Sequence, residues 1–216
     1  MDIEYLKDRT FHVSYKAYRL RLTIDLGGFD MLKHRGTIRL ESHRLILRRF
    51  SLDDADEMFN NWANDSEVTK YLTWDPHGKV EATKEIISMW IKQYKDKRAY
   101  NWAIQLKGTG ELIGSIGVVD LSDRDSRCEI GYCISKAHWN RGITTEALKR
   151  VMDFLFFDVG LNRIQAKHDI LNPGSGKVME KSGMKYEGTF REYFLRKDGS
   201  FGDMKMYAAL KEEMHV

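Results

Sequence analysis

The sequence predicts a single mixed domain of the α/β (α+β) class. Three observations carry that reading. Short β-type runs bounded by turn residues alternate with helical stretches, and one helical stretch carries an unbroken apolar stripe. No repeat, low-complexity tract or proline-rich linker divides the chain, which has only two prolines, Pro76 and Pro173. With 216 residues, 42% of them hydrophobic and 31% charged, the chain can build one sizeable core, as an ordinary globular enzyme does. A domain over residues 31–216 is expected, preceded by an extension of unassigned role over residues 1–30.

In chain order, Leu45-Ile46-Leu47 reads as a first strand, and Ser51 as the cap of a helix from about Asp53 to Asn60 with acids in its first turn. A second helix, roughly Lys84 to Lys95, places Ile87, Trp90, Ile91 and Tyr94 on one face. Three strands follow: Asn101 to Leu106, Glu111 to Val119 and Arg127 to Ile134. A turn at Lys107-Gly108-Thr109-Gly110 separates the first two, and a polar loop, Asp120 to Ser126, precedes the third. The strongest helix runs from Thr145 to Val159, with Leu148, Val151, Met152, Leu155, Phe156 and Val159 in one stripe and Gly160 as its stop. Arg163 to Asp169 reads as a strand, Ser175 to Ser182 as a short helix ended by Gly183. Tyr186 to Leu195 and Met204 to Leu210 are two last strands around a turn at Lys197-Asp198-Gly199.

Composition narrows the function classes. A net charge of +3 neither demands nor excludes an acidic partner, but 35 basic residues are spread along the chain and matched by 32 acids, against a nucleic-acid module. No stretch of about 18 uncharged apolar residues occurs, so no membrane-spanning helix is expected. Residues 1–30 carry charges throughout, end near Gly27-Gly28, and lack the apolar region of a secretory signal. Cys128 and Cys133 are an odd number of positions apart in one strand, point to opposite faces and are expected unpaired, which fits a reducing, cytoplasmic setting. The seven histidines show no metal-ligand spacing, and Asp120, Asp123 and Asp125 do not complete a calcium loop, because no glycine follows. No metal is expected.

The informative region is Glu129 to Met184. A strand runs through Trp139-Asn140-Arg141-Gly142-Ile143-Thr144-Thr145 into the long helix. A strand, a glycine-containing loop and a helix N-terminus form an anion site, because the first helical amides have no intrahelical partner and the macrodipole favours negative charge there. A diphosphate suits it, although a glycine before a helix often means only a turn. It is not a nucleotide P-loop, since no Gly-Lys-Ser/Thr follows, nor a dinucleotide fingerprint, since the three glycines are missing.

Four segments in this order resemble the RimJ/RimL branch of the GNAT N-acetyltransferase superfamily: Glu129-Ile130-Gly131-Tyr132, Trp139 to Ala147, Gly160-Leu161-Asn162-Arg163-Ile164, and Asn172 to Met184. The tail Glu187 to Tyr193 and Asp198-Gly199 with Asp203 fit the same branch, and the likeness spans about Ser42 to Leu210. It implies the GNAT fold: a twisted, mixed, mostly antiparallel sheet flanked by helices and splayed between its fourth and fifth strands, here Arg127–Ile134 and Arg163–Asp169. It implies acetyl-CoA as co-substrate in that splay, beside Cys133 and Ile134, with the diphosphate on Arg141, Gly142, Ile143, Thr144 and Thr145. Asn140 and Thr144 depart from the family, which usually has Gly at the first and Ala or Gly at the second.

Acetyl transfer needs a deprotonated amine, a polarised carbonyl and a stabilised leaving thiolate. By resemblance, Ser175 is the general acid or thiolate stabiliser; the plainer alternative is a helix cap. Met179 holds the place where many GNAT enzymes carry a tyrosine. Asn172 is expected on the pantetheine amide, or as a turn residue before Pro173, and Lys177 near the phosphates unless simply exposed. The amide of Cys133 or Ile134 would polarise the thioester carbonyl. Glu129, a carboxylate in an apolar strand, is the candidate base, with a structural pairing to Arg127 or another cation as the alternative and a water-mediated base also open. By the same resemblance, which places the acceptor loop between the first two helices, Trp74 is expected in the acceptor site. Asp75, Glu81 and Glu85 offer an acidic rim.

The expected reaction is direct transfer, in a ternary complex, of acetyl to a primary amine. The acceptor is the α-amine of a protein N-terminus, a ribosomal protein included, or a small amine such as a polyamine, amino acid or antibiotic. The enzyme is expected as a monomer or homodimer. The alternative is a degenerate domain that binds CoA or a partner without turnover, for which Asn140 and Thr144 are the only support.

Overall fold

The computed structural model describes residues 32–214 throughout and, ahead of them, the backbone of three short strands. The chain forms two compact units, Met1–Met31 and Leu32–Val216. In the first, β1 (Asp2–Tyr5), β2 (Phe11–Tyr15) and β3 (Tyr18–Leu22) pair antiparallel in that order. The Gly27-Gly28 pair, the His12 side chain and His215 lie outside the described residues.

The second unit is built on an eight-stranded sheet. Its strands are β4 (Leu40–Glu41), β5 (Leu45–Arg48), β6 (Asn101–Leu106), β7 (Leu112–Ser122), β8 (Arg127–Ile134), β9 (Arg163–Asp169), β10 (Lys185–Leu195) and β11 (Phe201–Leu210). Their spatial order is β10-β11-β9-β8-β7-β6-β5-β4. Every neighbouring pair is antiparallel except β8 and β9, which are parallel. That one parallel pairing is short. Only Arg127, Cys128 and Glu129 face Arg163, Ile164 and Gln165, and beyond Glu129 the two strands part. The splay at this position follows from a register of three pairs.

Among the described residues, five α-helices cover the sheet: α1 (Ala55–Met58), α2 (Ser66–Thr69), α3 (Val80–Gln93), α4 (Ile143–Asp153) and α5 (Pro173–Lys181). Strand alternation divides the core into two layers. Trp102 and Ile104 of β6 enter the layer containing α4, whereas Ala103 between them enters the layer of Phe50, Met58, Trp62 and Ile87 from α1, α3 and their surroundings. The apolar stripe of α4 is buried as its period predicts: Leu148, Val151, Met152, Leu155 and Phe156 are fully covered. Each such side chain contributes about 1.5–3 kcal/mol on leaving water.

Several elements differ from expectation in extent. The first helix is composite: a 3₁₀ turn (Leu52–Asp54), α1, then a π turn (Phe59–Ala63) closed by the Asn64 amide on the Phe59 carbonyl at 3.1 Å. The helix expected over Thr145–Val159 starts at Ile143 and ends in a π turn, Phe154–Val159. That widened turn buries three consecutive residues, Phe154, Leu155 and Phe156, which a uniform 3.6-residue period does not allow. The second long helix begins at Val80 rather than near Lys84.

The loop expected over Asp120–Ser126 is a correction. Despite the polarity of Asp120 and Ser122, Asp120, Leu121 and Ser122 continue β7 and pair with Glu129, Cys128 and Arg127 beyond a bulge at Val119. Only residues 123–126 turn, with Ser126 in the left-handed region. The short helix also starts earlier than expected, at Pro173, with Asn172 as its cap. Gly160 and Gly183, by contrast, stop their helices with φ of 97° and 92°.

Candidate active site

The splay opens a continuous cleft of about 1340 Å³. Residues from both faces of the sheet line it: Thr144, Thr145, Asn172 and Lys177 from the α4 and α5 side, and Trp74, Met89 and Trp90 from the α2 and α3 side. The cleft therefore passes through the sheet at the gap between β8 and β9.

On the first side stands the start of α4. The chain leaves β8, makes a 3₁₀ turn at Lys136–His138, and ties itself back through Trp139 Nε1 donating to the Ile134 carbonyl at 3.0 Å. Asn140 and Gly142 then take positive φ, 59° and 71°. Asparagine tolerates that conformation better than other non-glycine residues, which explains how the chain keeps this loop without a glycine at 140. No side chain caps the helix, so the first amides of α4 keep their donors for a ligand. A Cβ placed at Gly142 would meet only Arg44 Nη2, at 3.7 Å.

Arg44 and Glu146 brace this loop, and sequence reasoning missed both. Glu146 accepts from the Ser42 hydroxyl, the Arg44 amide and Arg44 Nε, each at 2.7 Å, while Arg44 Nη1 donates to the Arg141 carbonyl at 3.0 Å. Burial pushes the Glu146 pKa up, but these hydrogen bonds and the guanidinium charge outweigh it and hold the carboxyl below its ordinary value. One hydroxyl and two N–H donors, from residues about a hundred positions away in sequence, leave no local pattern to read.

On α5, Asn172 Oδ1 accepts from the Ser175 amide at 3.3 Å, so Asn172 is the cap and Ser175 is not. The Ser175 hydroxyl lies 2.9 Å from the Tyr132 hydroxyl, which also donates to the Ser175 carbonyl at 3.0 Å. Burial raises the Tyr132 phenol above its ordinary range, so it stays protonated. Met179 is buried in the core and also lines the cleft, where its thioether supplies no acidic proton. The first turn of α5 is packed hard: a Cβ at Gly176 would meet His168 Nε2 at 2.6 Å.

Glu129 is nearly covered, with 9% of its surface exposed. Its carboxylate takes Lys167 Nζ at 2.7 Å and Gln165 Nε2 at 3.2 Å. Arg127 turns instead to Asp120 and Asp125. Burial would lower the Lys167 pKa, but the hydrogen bond and charge of Glu129 more than offset that and raise it. The Lys167 ammonium also lies 5.4 Å from the Tyr193 ring centre. Cys133 lines the cleft, and burial pushes its thiol up to about 12. Cys128 and Cys133 are both free.

On the α2 and α3 side, Trp74 lines the cleft and packs 5.2 Å from the His77 ring. Its loop is held from the β10–β11 turn: Lys197 Nζ donates to the carbonyls of Thr69 (3.0 Å) and Trp74 (2.6 Å) and pairs with Asp75 at 3.0 Å. Asp75, Glu81 and Glu85 do not line the cleft. The carboxylates that do are Glu67, Asp96, Asp120, Glu129 and Asp169, the last of these paired with Arg196 at 2.8 Å. Arg141 is exposed, its carbonyl turned to Arg44. Among the described residues, no group of three or more His, Cys, Asp or Glu is placed to hold a metal ion, and no helix is long and apolar enough to cross a membrane.

Known proteins share this arrangement. Residues 44–185 match the family model of the acetyltransferase (GNAT) domain, and the chain belongs to that family of acetyl-transferring enzymes. It is 35% identical over 172 residues to the uncharacterized N-acetyltransferase YoaA of Bacillus subtilis (strain 168), covering 80% of this chain and 96% of that one. A ribosomal-protein-serine acetyltransferase of Escherichia coli (strain K12) is 26% identical over 114 residues, 53% of this chain and 63% of its own. Among solved structures, a GNAT acetyltransferase from Bacillus anthracis superposes with a TM-score of 0.72 at 27% identity, covering 81% of this chain and 99% of that one. No observation favours the non-catalytic alternative.

Proposed function

We propose that this N-acetyltransferase moves acetyl from acetyl-CoA directly to a primary amine, with the two substrates entering from opposite faces of the sheet. The acceptor is the α-amine of a protein N-terminus, ribosomal proteins included, or a small amine. One observation carries this reading: the cleft runs through the splay between β8 and β9, so donor and acceptor reach the same point from separate sides. The residues present fit acetyl-CoA. The uncapped start of α4, with Gly142, Ile143, Thr144 and Thr145, suits a diphosphate, and the unpaired edge of β8 beyond Glu129 offers backbone groups to a pantetheine. Lys177 lines the same side and Asn172 keeps Nδ2 for an amide carbonyl.

Because the Ser135 amide is turned to Ile113 on β7, strand alternation turns the Ile134 amide to the cleft, where it suits a thioester carbonyl. Ser175 supports the leaving sulfur. Glu129, or a water it holds, takes the acceptor's proton, and its pairing with Lys167 orients the carboxylate. A covalent acyl-enzyme is disfavoured, since the one thiol lining the cleft, Cys133, stays protonated. The free cysteines fit a reducing compartment, and we place the enzyme in the cytoplasm. Glu67 and Asp96 at the acceptor mouth suit an ammonium, and the resemblance to a ribosomal-protein acetyltransferase keeps protein N-termini among the acceptors.

The test is thiol release from acetyl-CoA with separate pools of N-terminal peptides, polyamines, amino acids and aminoglycosides. Turnover with one pool identifies the acceptor class. Ser175→Ala is expected to lower turnover while leaving acetyl-CoA affinity nearly intact; unchanged turnover removes Ser175 from the mechanism.

A further inference from the structure

We propose that Tyr132 is a positioning residue that controls where the Ser175 hydroxyl donates its proton, and that it assists acetyl transfer by freeing that hydroxyl for the leaving sulfur. The inference rests on the assignment of Ser175 to the sulfur made above.

Tyr132 reaches from β8 across the splay to the first turn of α5. Its hydroxyl has one proton and two acceptors on the same residue, the Ser175 carbonyl at 3.0 Å and the Ser175 hydroxyl oxygen at 2.9 Å. These two choices give Ser175 two states. With the phenol donating to the carbonyl, the Ser175 hydroxyl donates to the Tyr132 oxygen and is turned away from the cleft. With the phenol donating to the Ser175 oxygen, the serine proton is released toward the cleft, and the serine is polarised by the bond it accepts.

The backbone leaves Ser175 little other freedom. Its amide is held by the Asn172 carbonyl at 3.2 Å and by Asn172 Oδ1 at 3.3 Å, and the next residue, Gly176, abuts His168. Tyr132 is packed against the main core, and its burial keeps the phenol protonated across the working pH range. It therefore acts as a donor throughout and never as a base.

The chemistry balances without any proton leaving Tyr132. The C–N bond to the acceptor forms and the C–S bond breaks, with the electron pair passing to sulfur. The nitrogen's surplus proton goes to Glu129 or water. Ser175 donates a hydrogen bond to the sulfur anion, which takes its proton from solvent. The need for this donation depends on how basic the leaving thiolate is, so the Tyr132 contribution must depend on it too.

The experiment compares two acetyl thioesters in wild type, Tyr132→Phe, Ser175→Ala and the double variant. One is acetyl-CoA, and the other an acetyl thioester of a much more acidic aromatic thiol. Phe keeps the ring that packs in the core. The ratio of rates with the two thioesters is taken within each variant, so it does not depend on the fraction of molecules folded. Tyr132→Phe is expected to lose about tenfold in kcat with acetyl-CoA, the scale of one hydrogen bond. The loss should shrink severalfold with the acidic thiol, and the double variant should lose no more than Ser175→Ala alone. Equal losses with both thioesters, losses that add in the double variant, or an unchanged kcat would each overturn the role of Tyr132. Full activity in Ser175→Ala would instead overturn the assignment of Ser175 itself, which separates the two failures.

Discussion

Gly142 is where a single added methyl group probes the proposed diphosphate loop. Its φ is 71°, in the left-handed region, and among the described residues, its chain neighbours aside, an added Cβ comes within 4 Å only of Arg44 Nη2, at 3.7 Å. Protein packing therefore does not resist a side chain here, and the two expected effects separate. Holding a non-glycine residue in that conformation costs about 1–2 kcal/mol, more for a β-branched one. For a domain of this size Gly142→Ala should then melt roughly 2–8 °C lower. The second effect is on the ligand: a side chain at the loop apex displaces phosphate oxygens from the first amides of α4. Losing one charge-assisted hydrogen bond, about 1.5–3 kcal/mol, weakens binding roughly tenfold to a hundredfold. Calorimetric titration of acetyl-CoA should give that loss for Gly142→Ala and a larger one for Gly142→Val, at temperatures where both variants remain folded. Asn140→Gly, the companion variant, relieves a φ of 59° and should bind at least as well as wild type. Normal acetyl-CoA affinity in Gly142→Val would refute the placement of the diphosphate.

Two further outcomes follow from the braces around the site. Glu146→Gln removes the charge held by Ser42 and Arg44 and should cost about 2 kcal/mol, or roughly 4–8 °C in melting temperature, at neutral pH. The folded pKa of Glu146 is depressed, so its contribution is present above the unfolded carboxylate value, near 4.5, and fades as pH falls through the lower folded value. The melting gap between wild type and variant should therefore close in acid; a constant gap down to pH 2 would remove the charge from the account. Lys197→Met frees the carbonyls of Thr69 and Trp74 and should raise KM for the acceptor roughly tenfold, discounted for partial exposure, while acetyl-CoA affinity is unchanged. Equal losses for both substrates would show that Lys197 supports the fold at large rather than the acceptor wall.

Much of the candidate site's location was legible because it is coded locally. Gly142 before an amphipathic helix announces a left-handed turn and open amides, and Glu129 in an apolar strand announces a carboxylate that must be paired or working. The periodicity of Leu148 to Val159 located the helix that presents those amides. Local code also misled. The polarity of Asp120 and Ser122 hid the end of β7, since strand pairing there is sustained by the ladder beyond a bulge rather than by burial. Ser175 looked like a cap because serine before a helix usually is one, but the preceding Asn172 already fills that role.

The sequence by itself determined the family, the order of the elements and the stretch proposed to carry the chemistry. Backbone conformation, helical period and helix-end amides are properties of neighbours in the chain. Only the tertiary structure decided which groups meet. Glu129 could have paired with Arg127 two residues away, yet its cation is Lys167, 38 residues on, because the parallel register sets Gln165 against it and puts Lys167 on the same face. Tyr132 meets Ser175 across 43 residues, and Lys197 holds the Trp74 loop from 123 residues away. Such contacts arise from strand register and the angle at which β8 and β9 part, which no local pattern of residues encodes.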